Sequence, residues 1–130
     1  MDVPHDAVLL RIFTSADDRW GVGPLYAAIV EKAREAHMAG ATVLRGSIGF
    51  GHSGHLHTER LFPLKADQPV VVEIVDSEQK IAEFLPLLDE MMESGLVTLE
   101  KAQVIQYGRE RAPLWQRLKE QFSGVHSGTH

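Results

Sequence analysis

Residues Gly49-Phe50-Gly51-His52-Ser53-Gly54 fit the pattern G-x-G-x-x-G by letter. A dinucleotide fingerprint needs a strand before that pattern and a helix after it. Polar residues and a further strand pattern follow here, so a dinucleotide fold is rejected. The physical content of the glycines survives: without side chains in the way, backbone N–H groups can cradle an anion. The plainer alternative is a flexible hairpin loop. His52, His55 and His57 lie in the same stretch with spacing H-x-x-H-x-H. Imidazoles at that spacing could ligate zinc, copper or nickel, contact phosphate, or stand solvated. Arg45, Arg109 and Arg111 are the cations of interest, because arginine offers a rigid fork to phosphate or carboxylate. For Arg109 and Arg111 the alternative is a solvated charged terminus. Asp17 and Asp18 could form a carboxylate pair, although adjacent aspartates after a strand are usually turn formers. Trp20 could stack on a base or cover a helix start. No serine sits in a recognisable nucleophile elbow, and no paired acid/base motif emerges, so an enzyme is not expected.

The elements that must position these residues follow from pattern. Ala7 to Thr14 reads as a strand ended by polar residues. Pro24 suits a first helical turn, and Leu25, Ile29, Ala33 and Ala36 recur at helical spacing until Gly40 stops the helix. Ala41 to Gly51 reads as a strand entering a glycine-rich loop, with Gly46, Gly49 and Gly51 marking a bulge or close backbone approach. The loop runs from Gly51 to Thr58, and Glu59 to Leu64 starts the returning strand. Pro69 to Val75 is the clearest strand. Asp76 offers an N-cap with Gln79 three residues on. The helix behind it carries Ile81, Phe84, Leu85, Leu88 and Met92, tolerates Pro86, and ends at Gly95. Leu96 to Tyr107 gives a last strand, strongest at Val104 to Tyr107. Residues 111–122 read as an appended helix and 123–130 as a loose tail, leaving 1–110 as the folded domain.

The order β-α-β-β-α-β predicts an α+β, ferredoxin-like fold: a four-stranded antiparallel sheet with two helices on one face. Three connections then share one end of the sheet: Ser15–Gly23, Gly51–Thr58 and Glu93–Thr98. Loops gathered on a rigid scaffold are a common place for binding sites.

Composition narrows the partners. The chain has 130 residues, about one domain's worth, and a formal net charge of −5. That balance argues against a general nucleic-acid binder, which needs a basic face, but permits a local basic pocket. There are no cysteines, so disulfides, thiolate metal sites and cysteine nucleophiles are excluded. No apolar run approaches the ~18 residues of a membrane span. The first residues lack the basic start and apolar stretch of a signal peptide, so a cytoplasmic protein is expected.

Taken together, Gly40-Ala41-Thr42-Val43-Leu44-Arg45-Gly46 and Gly49-Phe50-Gly51 resemble PII-like proteins, and more narrowly the domain of unknown function 190 family. Asp18-Arg19-Trp20, Gly23 to Val30 and Val70 to Asp76 support the match, which covers about residues 7–108. The resemblance implies ferredoxin-like subunits in a homotrimer, adenine nucleotides in the clefts between subunits, and a mobile loop that contacts partner proteins. It places Gly40, Thr42, Gly49 and Gly51, with Phe50 between the last two, beside the nucleotide. Arg109 and Arg111 fall where PII proteins carry C-terminal arginines, and Arg45 would help neutralise phosphate. His52, Ser53, Gly54, His55 and His57 form the partner loop. Family members are often encoded beside small fluoride-exporting membrane proteins, which suggests a membrane transporter or fluoride exporter as partner.

The segment Glu93 to Lys101 departs from the PII pattern. It has one glycine and a late lysine where PII proteins have a glycine- and lysine-rich phosphate loop. That favours AMP or ADP over ATP as the regulatory ligand. The loop also lacks the tyrosine that some PII proteins use for modification. No cofactor is expected beyond the nucleotide. Two other readings stay open: a trimer that binds metal through His52, His55 and His57, and an adaptor that works without nucleotide.

Overall fold

The computed structural model describes residues 6–50, 56–58, 68–105, 107, 108, 116, 118 and 119. Its core is a four-stranded sheet of β1 (Asp6–Ser15), β4 (Thr42–Arg45), β7 (Pro69–Asp76) and β8 (Leu96–Gln103), ordered β4-β7-β1-β8. Each neighbouring pair is antiparallel. Helices α1 (Leu25–Glu35) and α2 (Glu78–Met91) complete the expected ferredoxin-like plan. Two small ribbons are added: β2 (Arg19–Trp20) with β3 (Gly23–Pro24), and β5 (Ile48–Phe50) with β6 (Leu56–Thr58).

The sheet's two faces come from the period-2 alternation of its strands. Leu10 and Ile12 stand opposite Ile74 and Val72 in register, and all four are buried under the helices. From the helices come Leu25, Ile29 and Ala33, and then Ile81, Phe84 and Leu88. Both sets recur every three or four residues, one stripe per helix. On the open face Arg11 bridges three strands. Its Nε donates to Glu73 and its Nη1 to Glu100, each at 2.9 Å. The Glu73 hydrogen bond, helped by both negative charges, raises the Arg11 pKa above its ordinary value.

Several boundaries differ from expectation for local reasons. Pro24 caps α1 rather than entering it, with an extended ψ of 143°. The first helical N–H, from Leu25, donates to the Asp18 carbonyl at 2.7 Å. The helix ends well before Gly40. His37 takes a positive φ of 58°, Met38 N–H donates to Ala33 and His37 N–H to Arg34. This is the paired-bond stop in which a left-handed residue turns the chain, here by histidine instead of glycine. In α2 the cap is Ser77, not Asp76: its Oγ accepts from Lys80 N–H at 3.1 Å. Asp76 is only 1% exposed. Its carboxylate accepts from the N–H groups of Ser77 and Ala39, at 2.7 and 2.8 Å, tying α2 to the chain entering β4. Gly95 lies beyond the end of α2 at Met91, and Pro86 is accommodated within the helix. Strand pairing in β8 stops at Gln103, so Val104, Ile105 and Tyr107, from the stretch expected to be strongest, lie beyond the ladder.

The expected returning strand at 59–64 lies outside the described residues. So do residues 123–130 and most of the expected helix at 111–122. Among the described residues no helix is long and apolar enough to cross a membrane.

Candidate functional site

The expected site residues fall at opposite ends of β4. Thr42 pairs with Glu73, on the open face, whereas Arg45 pairs with Val70, on the helix-covered face. Three residues of strand span about 10 Å, and an odd step reverses the side-chain direction.

Arg45 heads the first group. Its Nη2 donates to the Tyr26 hydroxyl of α1 at 2.8 Å, and its Nη1 to Gln68 Oε1 at 3.3 Å. The guanidinium carbon lies 5.2 Å from the Tyr26 ring centroid. The next residue is a pivot where glycine is needed. Gly46 N–H donates to the Pro69 carbonyl at 2.8 Å, and a Cβ there would meet Pro69 Cγ at 2.8 Å. This is the close approach the glycine pattern predicted. From it springs the β5–β6 ribbon, with Gly49 opposite His57 and Phe50 opposite Leu56. Residues 56–58 are therefore strand rather than loop. Ile48 and Phe50 are 62% and 71% exposed, a large apolar display for so short a ribbon.

Asp17 and Asp18, at the same end, are spent on the turn after β1. Asp18 accepts from the Thr14 hydroxyl and from Ser15 N–H, and Asp17 accepts from the Ser15 hydroxyl at 2.6 Å. The β2–β3 ribbon follows. Gly21 sits at φ +62° in its two-residue turn, and Arg19 Nη2 donates to the Val22 carbonyl at 2.9 Å. Trp20 is partly exposed on this ribbon.

Gly40 and Thr42 belong to the second group. They line a cavity of about 490 Å³ at the far end of β4, walled by Leu9, Val75, Ala102 and Ile105. That volume is in the range of small-molecule pockets. Tyr107 closes one side, its hydroxyl donating to the Ala39 carbonyl at 3.0 Å. Glu73, already paired with Arg11, adds a carboxylate to the wall. A Cβ at Gly40 would meet nothing within 4 Å, so no close approach there requires glycine.

Gly51, His52, Ser53, Gly54, His55, Arg109 and Arg111 lie outside the described residues, and His57 is placed by its backbone alone. Among the described residues no three histidine or acidic groups are arranged to hold a metal ion. Tyr26, Gln68 and Tyr107 were not singled out from the sequence as site residues. Tyr26 gave a faint signal, a polar-tipped aromatic in an otherwise apolar run, and Tyr107 a fainter one at the end of Val104-Ile105-Gln106. Gln68 gave none.

Residues 7–104 match the family DUF190, described as Uncharacterized ACR. The chain belongs to the DUF190 family. A UPF0166 protein of Aquifex aeolicus (strain VF5) is 43% identical to this DUF190 protein over 97 residues, 75% of this chain and 91% of the relative. A UPF0166 protein of Methanocaldococcus jannaschii is 30% identical over 99 residues, again 75% and 91%. Two solved structures share the fold. One is CPII, a nitrogen regulatory PII-like protein from Thiomonas intermedia K12, bound to ADP, AMP and bicarbonate. It aligns with a TM-score of 0.55 at 17% identity, over 76% of this chain and 88% of CPII. A protein of Thermus thermophilus described as PII-like aligns with a TM-score of 0.58 at 20% identity, over 80% and 93%. This DUF190 protein thus has a PII-like fold.

Proposed function

We propose that this protein is a cytoplasmic PII-like regulator whose homotrimer binds AMP or ADP between subunits and signals to a membrane transporter through the β5–β6 ribbon. The observation that carries the reading is the division of the site along β4. An apolar cavity with Gly40 and Thr42 opens at one end, and Arg45 with the glycine-hinged ribbon stands at the other, on the opposite face. Within one chain the two lie about 10 Å apart along the strand and on opposite faces of the sheet. In the proposed trimer the cavity of one copy would face the arginine of the next, so that the base would meet apolar walls and the phosphate a guanidinium.

The preference for a short phosphate chain has support in the segment after α2. Its one glycine is engaged in packing: Gly95 has φ +128°, and a Cβ there would meet the Phe13 carbonyl at 2.9 Å and Met92 Cε at 2.7 Å. The nucleotides described for CPII, ADP and AMP, agree with this preference. A binding role rather than a catalytic one is supported by Asp17 and Asp18, whose carboxylates hold a turn. Partner recognition draws support from the exposed Ile48 and Phe50, aromatic and aliphatic surface that a docking protein would cover.

Calorimetry with AMP, ADP and ATP, on samples whose mass is measured by sedimentation, tests the reading. The expected result is a trimer that binds AMP or ADP more tightly than ATP. A monomer, or a protein that binds none of the three at millimolar ligand, would overturn it. Capture of the transporter with and without nucleotide tests the partner, and equal capture in both conditions argues for an adaptor instead.

A further inference from the structure

Arg45 is held from two sides by groups that are themselves packed or buried. Tyr26 sits in the first turn of α1, its ring packed against the core cluster. Gln68 is 2% exposed, and its carbonyl accepts from Ala16 N–H at 2.8 Å, which fixes the backbone before β7. A guanidinium has five N–H donors in one plane. One at Nη2 goes to Tyr26 and one at Nη1 to Gln68. Among the described residues the other three carry no partner, and the side chain is exposed.

From this we infer that Tyr26 and Gln68 are positioning residues for Arg45, holding its guanidinium as a preformed receptor for a phosphate group. The inference rests on the nucleotide reading above and adds the device that makes an exposed arginine an effective ligand. A long side chain free in solvent loses rotamer freedom when it grips an anion, and that loss weakens binding. Here the loss is taken on folding, by a hydroxyl and an amide whose own places are set by packing. Lysine could not substitute. It carries the charge as a point and cannot reach two acceptors in fixed planar geometry while presenting further donors.

The device predicts a selective effect. Tyr26→Phe keeps the ring and its packing and removes only the acceptor oxygen. It should weaken AMP and ADP by about three- to tenfold, the cost of ordering one rotamer-rich side chain, and leave adenosine binding unchanged. Arg45→Lys should lose at least as much on AMP and ADP and likewise spare adenosine. A second readout does not depend on ligand. In NMR spectra of the free protein, the Arg45 Nε–H group should be rigid in the wild type and motionally averaged in Tyr26→Phe. Averaging already present in the wild type would overturn the inference, as would unchanged AMP and ADP affinity in Tyr26→Phe. An equal loss for adenosine would show a general structural role and overturn it too. If the wild type binds no nucleotide, the functional reading fails, and the NMR result then judges the pinned arginine separately.

Discussion

The two faces of the sheet are finished to different degrees. On the helix-covered face, Leu10, Ile12, Val72 and Ile74 are buried by one stripe from each helix, and only at the β8 edge do apolar side chains of the described residues on that face, Val97 and Leu99, stay exposed. On the open face, rows across the strands alternate in character. Thr42, Glu73, Arg11 and Thr98 form a polar row in which Arg11 pairs with Glu73, while its other ion pair reaches Glu100 outside the row. Next to it, Leu44, Val71, Phe13 and Leu96 form an apolar row, with Leu44 and Leu96 exposed at its two ends. An antiparallel sheet that meets water on one face normally turns polar side chains to it. A continuous apolar row there is surface that one chain leaves uncovered, and the proposed assembly of copies would cover it.

Substitutions on the two faces should therefore fail differently. Phe84→Ala empties a site buried beneath the covered face and should cost about 3–5 kcal/mol in urea unfolding. A loss below about 1 kcal/mol would mean that the covered layer is not the main store of stability. Gly95→Ala acts where α2 hands the chain to β8. A left-handed φ and contacts under 3.0 Å at Cβ should together cost roughly 2–4 kcal/mol, read as a lowered urea midpoint with the slope unchanged. Ser77→Ala removes the α2 cap and should cost about 1 kcal/mol, whereas Ser77→Asp should retain most of it. Leu96→Glu, on the open apolar row, should change the unfolding of the single chain by no more than about 0.5 kcal/mol. Its effect should show in sedimentation as a loss of assembly. An intact trimer in Leu96→Glu would place the contact between copies elsewhere.

The sequence was most readable where one pattern had one physical cause. The stripes of Leu25, Ile29 and Ala33 and of Ile81, Phe84 and Leu88 named buried residues directly, because burial selects apolar side chains at the period of the helix, whereas the nearly continuous apolar run of Pro69 to Val75 named a strand without saying which of its faces is buried. Element ends were less readable. His37 does what Gly40 was expected to do, because paired backbone bonds can hold a histidine at positive φ. Val104 to Tyr107 has the composition of a strand, but the ladder with β1 ends at Asp6 opposite Gln103, and Tyr107 is drawn instead to Ala39.

The site divides the same way. Arg45 and the glycines stood out by residue type, since few side chains can grip an anion and only glycine clears the way for a backbone. That Arg45 is pinned by Tyr26 and Gln68, 19 and 23 residues away in sequence, could not be read from the chain. Nor could the separation of Thr42 and Arg45 onto opposite faces be used until the strand's register was known. Sequence by itself determined the order of elements, the covered core and the residue types available for an anion. Only the tertiary structure decided which of those residues meet, because meeting depends on register, and a register is a long-range pairing that no local pattern encodes.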